Sequence, residues 1–160
     1  MQNWTISTRG LQFIANFEGY VPWPYNDPAG HATIGYGHLL HYGPVTRLDR
    51  LRYLPTGISK QSALKLLRSD AAKAETGVNA ALTVGVVQEQ FDALCSFAFN
   101  CGVGALQHST LLADINSGKA APEIIRADFM RWNHAGAVVL PGLTRRRAAE
   151  AKLVLSRLYA

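Results

Sequence analysis

At 160 residues the chain has the size of one domain, enough to bury roughly 70% of its unfolded surface without a disulfide or a metal to hold it. Its 48% apolar and 17% charged residues exclude a disordered chain. The 16 Lys and Arg against 11 Asp and Glu, a formal charge of +5, point to an anionic partner. Nucleic acid, an acidic glycan and a membrane surface all meet that description.

The first ten residues carry Asn3, Thr5, Ser7 and Arg9 and lack the apolar run of a signal peptide; no later stretch is long enough to span a membrane. Residues 8–18 read as a first helix with Thr8 as N-cap and an apolar stripe at Leu11, Ile14 and Ala15. Glu18 continues that stripe, as either a functional carboxylate or a helix-end Glu that reaches solvent.

Residues 20–50 are rich in Gly, Pro, Tyr and Asn, which favours turns and short strands. From His31 to His38 the chain alternates. Ala32, Ile34 and Tyr36 point one way, and Thr33 shares the other face with Gly35 and Gly37. That face is open to another chain, or its glycines serve the hairpin's own bends. Residues 42–58, with Arg47, Arg50 and Arg52, form either a basic lip or a solvated insertion.

From Ser59 onward the pattern is helical. Helices are expected at 59–79 with Ser59 as N-cap, 87–100, 109–117, 121–132 and 144–158, punctuated by Gly102, Gly118 and Gly142. The helix at 87–100 has no charge after Asp92 and reads as buried on most sides. Cys95 and Cys101 lie well apart around its axis and read as free core thiols. The class is α+β, predominantly helical: a small N-terminal lobe at about 12–58 and a helical lobe at about 59–160, on which helix 8–18 packs. A cleft between them is the expected ligand site.

Glu18, Asp27 and Thr33 place two carboxylates on either side of a Pro/Gly-rich turn, with a hydroxyl just beyond. A glycosidic bond is cut by such a set, one carboxylic acid protonating the leaving oxygen and an ionised partner handling water or the sugar cation. The surrounding residues Glu18-Gly19, Tyr25-Asn26-Asp27, Gly30 and Thr33-Ile34-Gly35-Tyr36-Gly37-His38-Leu39-Leu40 resemble the active-site region of the phage-type lysozymes, glycoside hydrolase family 24. Ser96 to Gly104, followed by Ser109-Thr110-Leu111-Leu112, resembles that family's central helix, and Leu140 to Ala151 its C-terminal signature.

The resemblance implies a lysozyme-like two-lobe fold with a β-hairpin lobe and a peptidoglycan-cleaving muramidase without a cofactor or metal. Glu18 is then the general acid, and Asp27 and Thr33 activate or position the attacking water. Leu39, Phe99, Asn100, Thr110 and Arg126 fall where the family contacts the sugar chain. The family also pairs an arginine with its catalytic Glu; Arg145, Arg146 and Arg147 are the candidates, and they are expected at a helix N-terminus, against the macrodipole. His38 is expected to pair with Asp70, and Trp132 to serve packing. Zinc on His31, His38 and His41 is disfavoured by their spacing. The partner expected is the peptidoglycan glycan strand, bound by a monomer with no nucleic-acid partner. As an endolysin the chain would be made in the host cytoplasm and reach the periplasm through a holin-type lesion. A lytic transglycosylase and a basic nucleic-acid-binding protein are the alternatives.

Overall fold

Leu11, Ile14 and Ala15 form a buried stripe on one side of the first helix, and Phe13, further around it, is buried as well. The computed structural model describes residues 3–159 and places this helix, α1, at Thr8–Glu18. Its cap is one residue earlier than expected: the Ser7 hydroxyl accepts from the Gly10 N–H at 2.9 Å, which satisfies an otherwise orphaned donor of the first turn.

The chain divides into two compact units, one running from Ile14 to Asp70 and the other made of the flanking stretches up to Phe13 and from Ala71. The boundary falls within α1 and within α3 (Lys60–Ala81).

The Ile14–Asp70 unit contains the three-stranded antiparallel sheet β1 (Val21–Asn26), β2 (Ala32–Gly35) and β3 (His38–His41), in that order. Pro22 and Pro24 cannot donate to a ladder, so β1 takes the edge; β2, which has no proline, is central. The alternation expected at 32–36 does not translate into one exposed face, because all four residues of β2 are buried. Gly35 shows why. Its φ is +68°, and a Cβ there would lie 3.0 Å from the Ala63 Cβ of α3. The glycine therefore admits α3 against the sheet and does not leave a surface for an incoming chain. α3 begins as expected, with the Ser59 hydroxyl accepting from the Ser62 N–H at 3.1 Å.

Residues 42–58 hold a short helix, α2 (Arg47–Arg52), none of whose residues is buried. Polar bonds fasten it. Thr46 and Asp49 form a capping box, and Asp49 Oδ2 lies 2.9 Å from His41 Nε2.

In the other unit, α4 (Gln88–Cys101) buries every residue from Phe91 to Ala98, so it is buried on all sides over two turns. Around it lie α5 (Val103–Gln107), α6 (Thr110–Ser117), α7 (Pro122–Met130), the two-residue strands β4 (His134–Ala135) and β5 (Val138–Val139), and α8 (Pro141–Ser156). α8 starts three residues before the expected Thr144, with Pro141 at its first position and Gly142 inside it. The three arginines consequently sit beyond the first turn, where the dipole penalty has faded. Cys95 and Cys101 are free thiols, and burial pushes both upward in pKa. Among the described residues no helix is long and apolar enough to cross a membrane.

The bond from His41 to Asp49 has a pH signature. It raises His41 above its ordinary 6.5, and bonds from Thr46, then His41, hold Asp49 down at about 2. A raised His contributes below its unfolded pKa and loses that contribution as pH rises through its folded value; a depressed Asp contributes above its unfolded pKa and loses it as pH falls through about 2. The tether of α2 is therefore complete between about pH 4 and 6.5. In an NMR titration His41 should have its midpoint above 6.5, falling toward that value in Asp49→Asn. An unchanged midpoint in the variant would refute the pairing.

Candidate active site

Glu18 is the last residue of α1 and is half-buried; Gly19, at φ +74°, turns the chain out of the helix toward β1. Asp27 occupies the turn between β1 and β2. Its Oδ1 accepts from the backbone N–H of Ala29 at 2.9 Å and of His31 at 2.8 Å. Its own N–H donates to the His31 carbonyl at 2.9 Å, and the Gly30 N–H donates to the Asp27 carbonyl at 2.8 Å. The carboxylate thus closes its own loop in the manner of an Asx turn. Oδ1 is occupied by two amides, which fixes the orientation of the group and leaves Oδ2 as the oxygen able to act on a ligand or a water.

Tyr25 reports where the two acids lie. Its phenol is pushed above its ordinary 10.0 first by burial, then by the negative charge of Asp27, then by that of Glu18. One hydroxyl feels both carboxylates, so Glu18 and Asp27 converge on the same region of this unit. Thr33 joins them, since it is the cross-strand partner of Tyr25 on β1 and of Leu39 on β3. Thr33 is 3% exposed and its hydroxyl donates to the His31 carbonyl at 3.1 Å. The open, glycine-cleared face expected around it is absent. What remains is a buried hydroxyl oxygen with lone-pair capacity behind the Asp27 loop.

The three histidines each have a partner inside the protein. His31 Nδ1 accepts from the Gly43 N–H at 3.1 Å. His38 Nδ1 lies 3.0 Å from both carboxylate oxygens of Asp70, the expected pair. His41 holds Asp49.

The remaining sequence-assigned positions divide. Leu39, 39% exposed, belongs with Thr33. Asn100, in the other unit, lines a 360 Å³ cavity with Cys101, Arg131, Trp132, His134 and Leu143. The Thr110 hydroxyl donates to Asp128 Oδ1 at 2.6 Å and accepts from Arg131 Nη1 at 3.3 Å, so Arg131 links it to that cavity. Phe99 is half-buried at the end of α4. Arg126 is not with them; it lines a different cavity of 280 Å³ along with Met130, Lys152 and Leu155. Trp132 packs edge-on against Phe97 at 5.4 Å and also borders the Asn100 cavity, so its packing role is real but incomplete.

Of the three consecutive arginines only Arg145 is exposed. Arg146 and Arg147 are 3% and 0% exposed and meet the fully buried Glu150. Arg146 Nε lies 3.2 Å from Glu150 Oε1. Arg147 Nε lies 3.0 Å from Oε2, close enough to pair but misaligned for a hydrogen bond. Burial drives the Glu150 carboxyl upward, against the pull of the two guanidiniums and the Ser96 hydroxyl. Arg147 also donates to Asn100 Oδ1 at 2.7 Å, which connects this ionic cluster to the rim of the cavity.

Residues 15–150 match the phage lysozyme family. The chain belongs to that family. It is 41% identical over 150 residues to an endolysin of Bacillus phage PZA, a match covering 92% of this chain and 54% of that protein. The chain thus spans about half the length of that relative. Among solved structures it is similar to the endolysin from Escherichia coli O157:H7 phage FAHEc1, with 32% identity, a TM-score of 0.83 and 99% and 98% of the two chains covered. The muramidase domain of SpmX from Asticaccaulis excentricus is also similar, at 32% identity and TM-score 0.78, covering 94% of this chain and 97% of that one. The predominantly helical fold with small antiparallel sheets matches that of the FAHEc1 endolysin.

Tyr25 was not assigned a role from sequence, although its position two residues before Asp27 was the available signal. Its phenol should titrate above 10 in a ¹³C-tyrosine NMR experiment. Asp27→Asn should lower that midpoint more than Glu18→Gln does. A midpoint indifferent to both substitutions would show that the two acids do not share a neighbourhood.

Proposed function

We propose that the protein is an endolysin, a muramidase that hydrolyses β-1,4 bonds between N-acetylmuramic acid and N-acetylglucosamine in peptidoglycan. The observation that carries this reading is the Asp27 carboxylate held through Oδ1 by the amides of Ala29 and His31, with the buried Thr33 hydroxyl on the adjoining strand, in a chain of the phage lysozyme family. The division of labour follows from their surroundings. Glu18, half-buried at a helix end, is the general acid that protonates the glycosidic oxygen. Asp27, oriented through Oδ1, uses Oδ2 to take a proton from the attacking water as it adds to the anomeric carbon. Thr33 accepts from that water and steadies it. The net reaction consumes one water and breaks one C–O bond; the leaving sugar departs with the proton from Glu18.

Leu39, Phe99, Asn100, Thr110 and Arg126 are proposed sugar-chain contacts; Arg126 is the weakest of the set because its cavity is separate from that of Asn100. The substrate partner is the glycan strand, met by a monomer that binds no nucleic acid and inserts no span in the membrane. The protein is made in the host cytoplasm and reaches the wall after a holin-type lesion.

Glu18→Gln keeps the shape of the side chain and removes its transferable proton. It should lower the rate of clearing of purified peptidoglycan by at least about 10³-fold while leaving thermal unfolding within a few degrees. Asp27→Asn retains an Oδ1 acceptor for the two amides, so the loop should persist while activity falls by about 10²-fold or more. A folded Glu18→Gln protein with undiminished activity would refute the assignment.

A further inference from the structure

α2 has no buried residue, yet it carries two leucines and is flanked by a third. Leu48 is 77% exposed, Leu51 51% and Leu54 59%, and the preceding Tyr42 is 80% exposed. At about 100° per residue, Leu48 and Leu51 lie about 60° apart on the helix, and Arg47 and Arg52 fall about 70° to either side of their midline. Asp49 lies on the opposite side, where Thr46 and His41 engage its carboxylate. The outward face is thus an apolar stripe between two exposed cations, and the single acid of the helix is turned away and bonded.

An aliphatic stripe this exposed gains nothing from water. Its favourable surroundings are the acyl boundary of a bilayer. Arginines on both flanks match lipid phosphates, which they bind through a planar fork of donors. The capping box and the bond from His41 hold the helix ready-formed, so little ordering is needed on contact. We propose that α2 docks this protein peripherally on an anionic phospholipid surface, with Leu48 and Leu51 in the interface and Arg47 and Arg52 on the lipid phosphates. Two leucines and two arginines make a weak, reversible attachment, distinct from insertion of a membrane span.

Co-sedimentation with sucrose-loaded vesicles tests this at about 0.1 M salt, where exposed charges more than about 10 Å apart are screened. The unaltered protein should bind vesicles of mixed phosphatidylglycerol and phosphatidylethanolamine and not vesicles of phosphatidylcholine. The double variant Leu48→Ser/Leu51→Ser keeps the full charge and should bind at least about tenfold more weakly. Arg47→Gln/Arg52→Gln should lose about tenfold as well. Lys73→Gln/Lys119→Gln removes the same charge from exposed sites elsewhere and should change binding by less than about threefold. All six positions are exposed, and circular dichroism should show each variant folded.

No binding to the anionic vesicles would overturn the proposal. So would full binding by the leucine variant, or equal losses in the arginine and lysine variants, because each leaves only diffuse charge attraction. If the leucine variant instead loses binding to purified peptidoglycan and keeps binding to vesicles, the face belongs to the wall and the lipid proposal fails.

Discussion

A carboxylate removed from water must be met by donors or cations, or it costs several kcal/mol. Asp92, Asp128 and Glu150 are at most 2% exposed, and the unit around α4 is arranged to meet that demand. Asp92 accepts from the Ser7 N–H at 3.0 Å and from Gln88 Nε2 at 2.9 Å on one oxygen, and from the hydroxyls of Ser7 and Tyr159 on the other. Residues near both ends of the chain thereby converge on one side chain of the central helix. Gly10 is glycine in consequence, since a Cβ there would stand 2.4 Å from the Asp92 Cγ. Asp128 accepts from Thr110 on Oδ1. Its Oδ2 is buried without a hydrogen-bond partner, and the nearby Asp128 pushes the Asp114 carboxyl upward. Glu150 takes two arginines and Ser96.

The acids of the Ile14–Asp70 unit are treated differently. Glu18 and Asp27 are half-buried, and Asp27 has two amides on one oxygen only. Asp27, oriented through Oδ1, keeps Oδ2 for a ligand or a water.

Much of this was legible in the chain. The apolar stripe of α1, the Ser59 cap and the uncharged run after Asp92 gave three helices within a residue or two, because helix periodicity and capping are local. The acid pair and its hydroxyl are readable there as candidates, because they lie close in sequence. The errors arose where long-range packing decided. Alternation at 32–36 predicted one open strand face, but α3 covers the sheet through Ala63 against Gly35. Ser7 and Thr8 offer the same capping chemistry, and only the bond to Gly10 separates them. Pro141 lengthened α8 backward and removed the arginines from the helix N-terminus. The burial of Arg146 and Arg147 around Glu150 has no periodic signature, since charged residues at i and i+4 read equally well as a solvated pair. Tyr25 stayed unremarked because its relevance comes from two charges reached through the fold.

Glu18 and Asp27 are proposed to act on opposite sides of one glycosidic bond, with water as the nucleophile. Proton NMR of the products from peptidoglycan fragments, followed from the first minutes in ¹⁸O-water, tests it most directly. The new reducing N-acetylmuramic acid should appear first as the α-anomer and carry the solvent oxygen at its anomeric carbon. A β-anomer formed first, or a 1,6-anhydro product without solvent oxygen, would contradict the account.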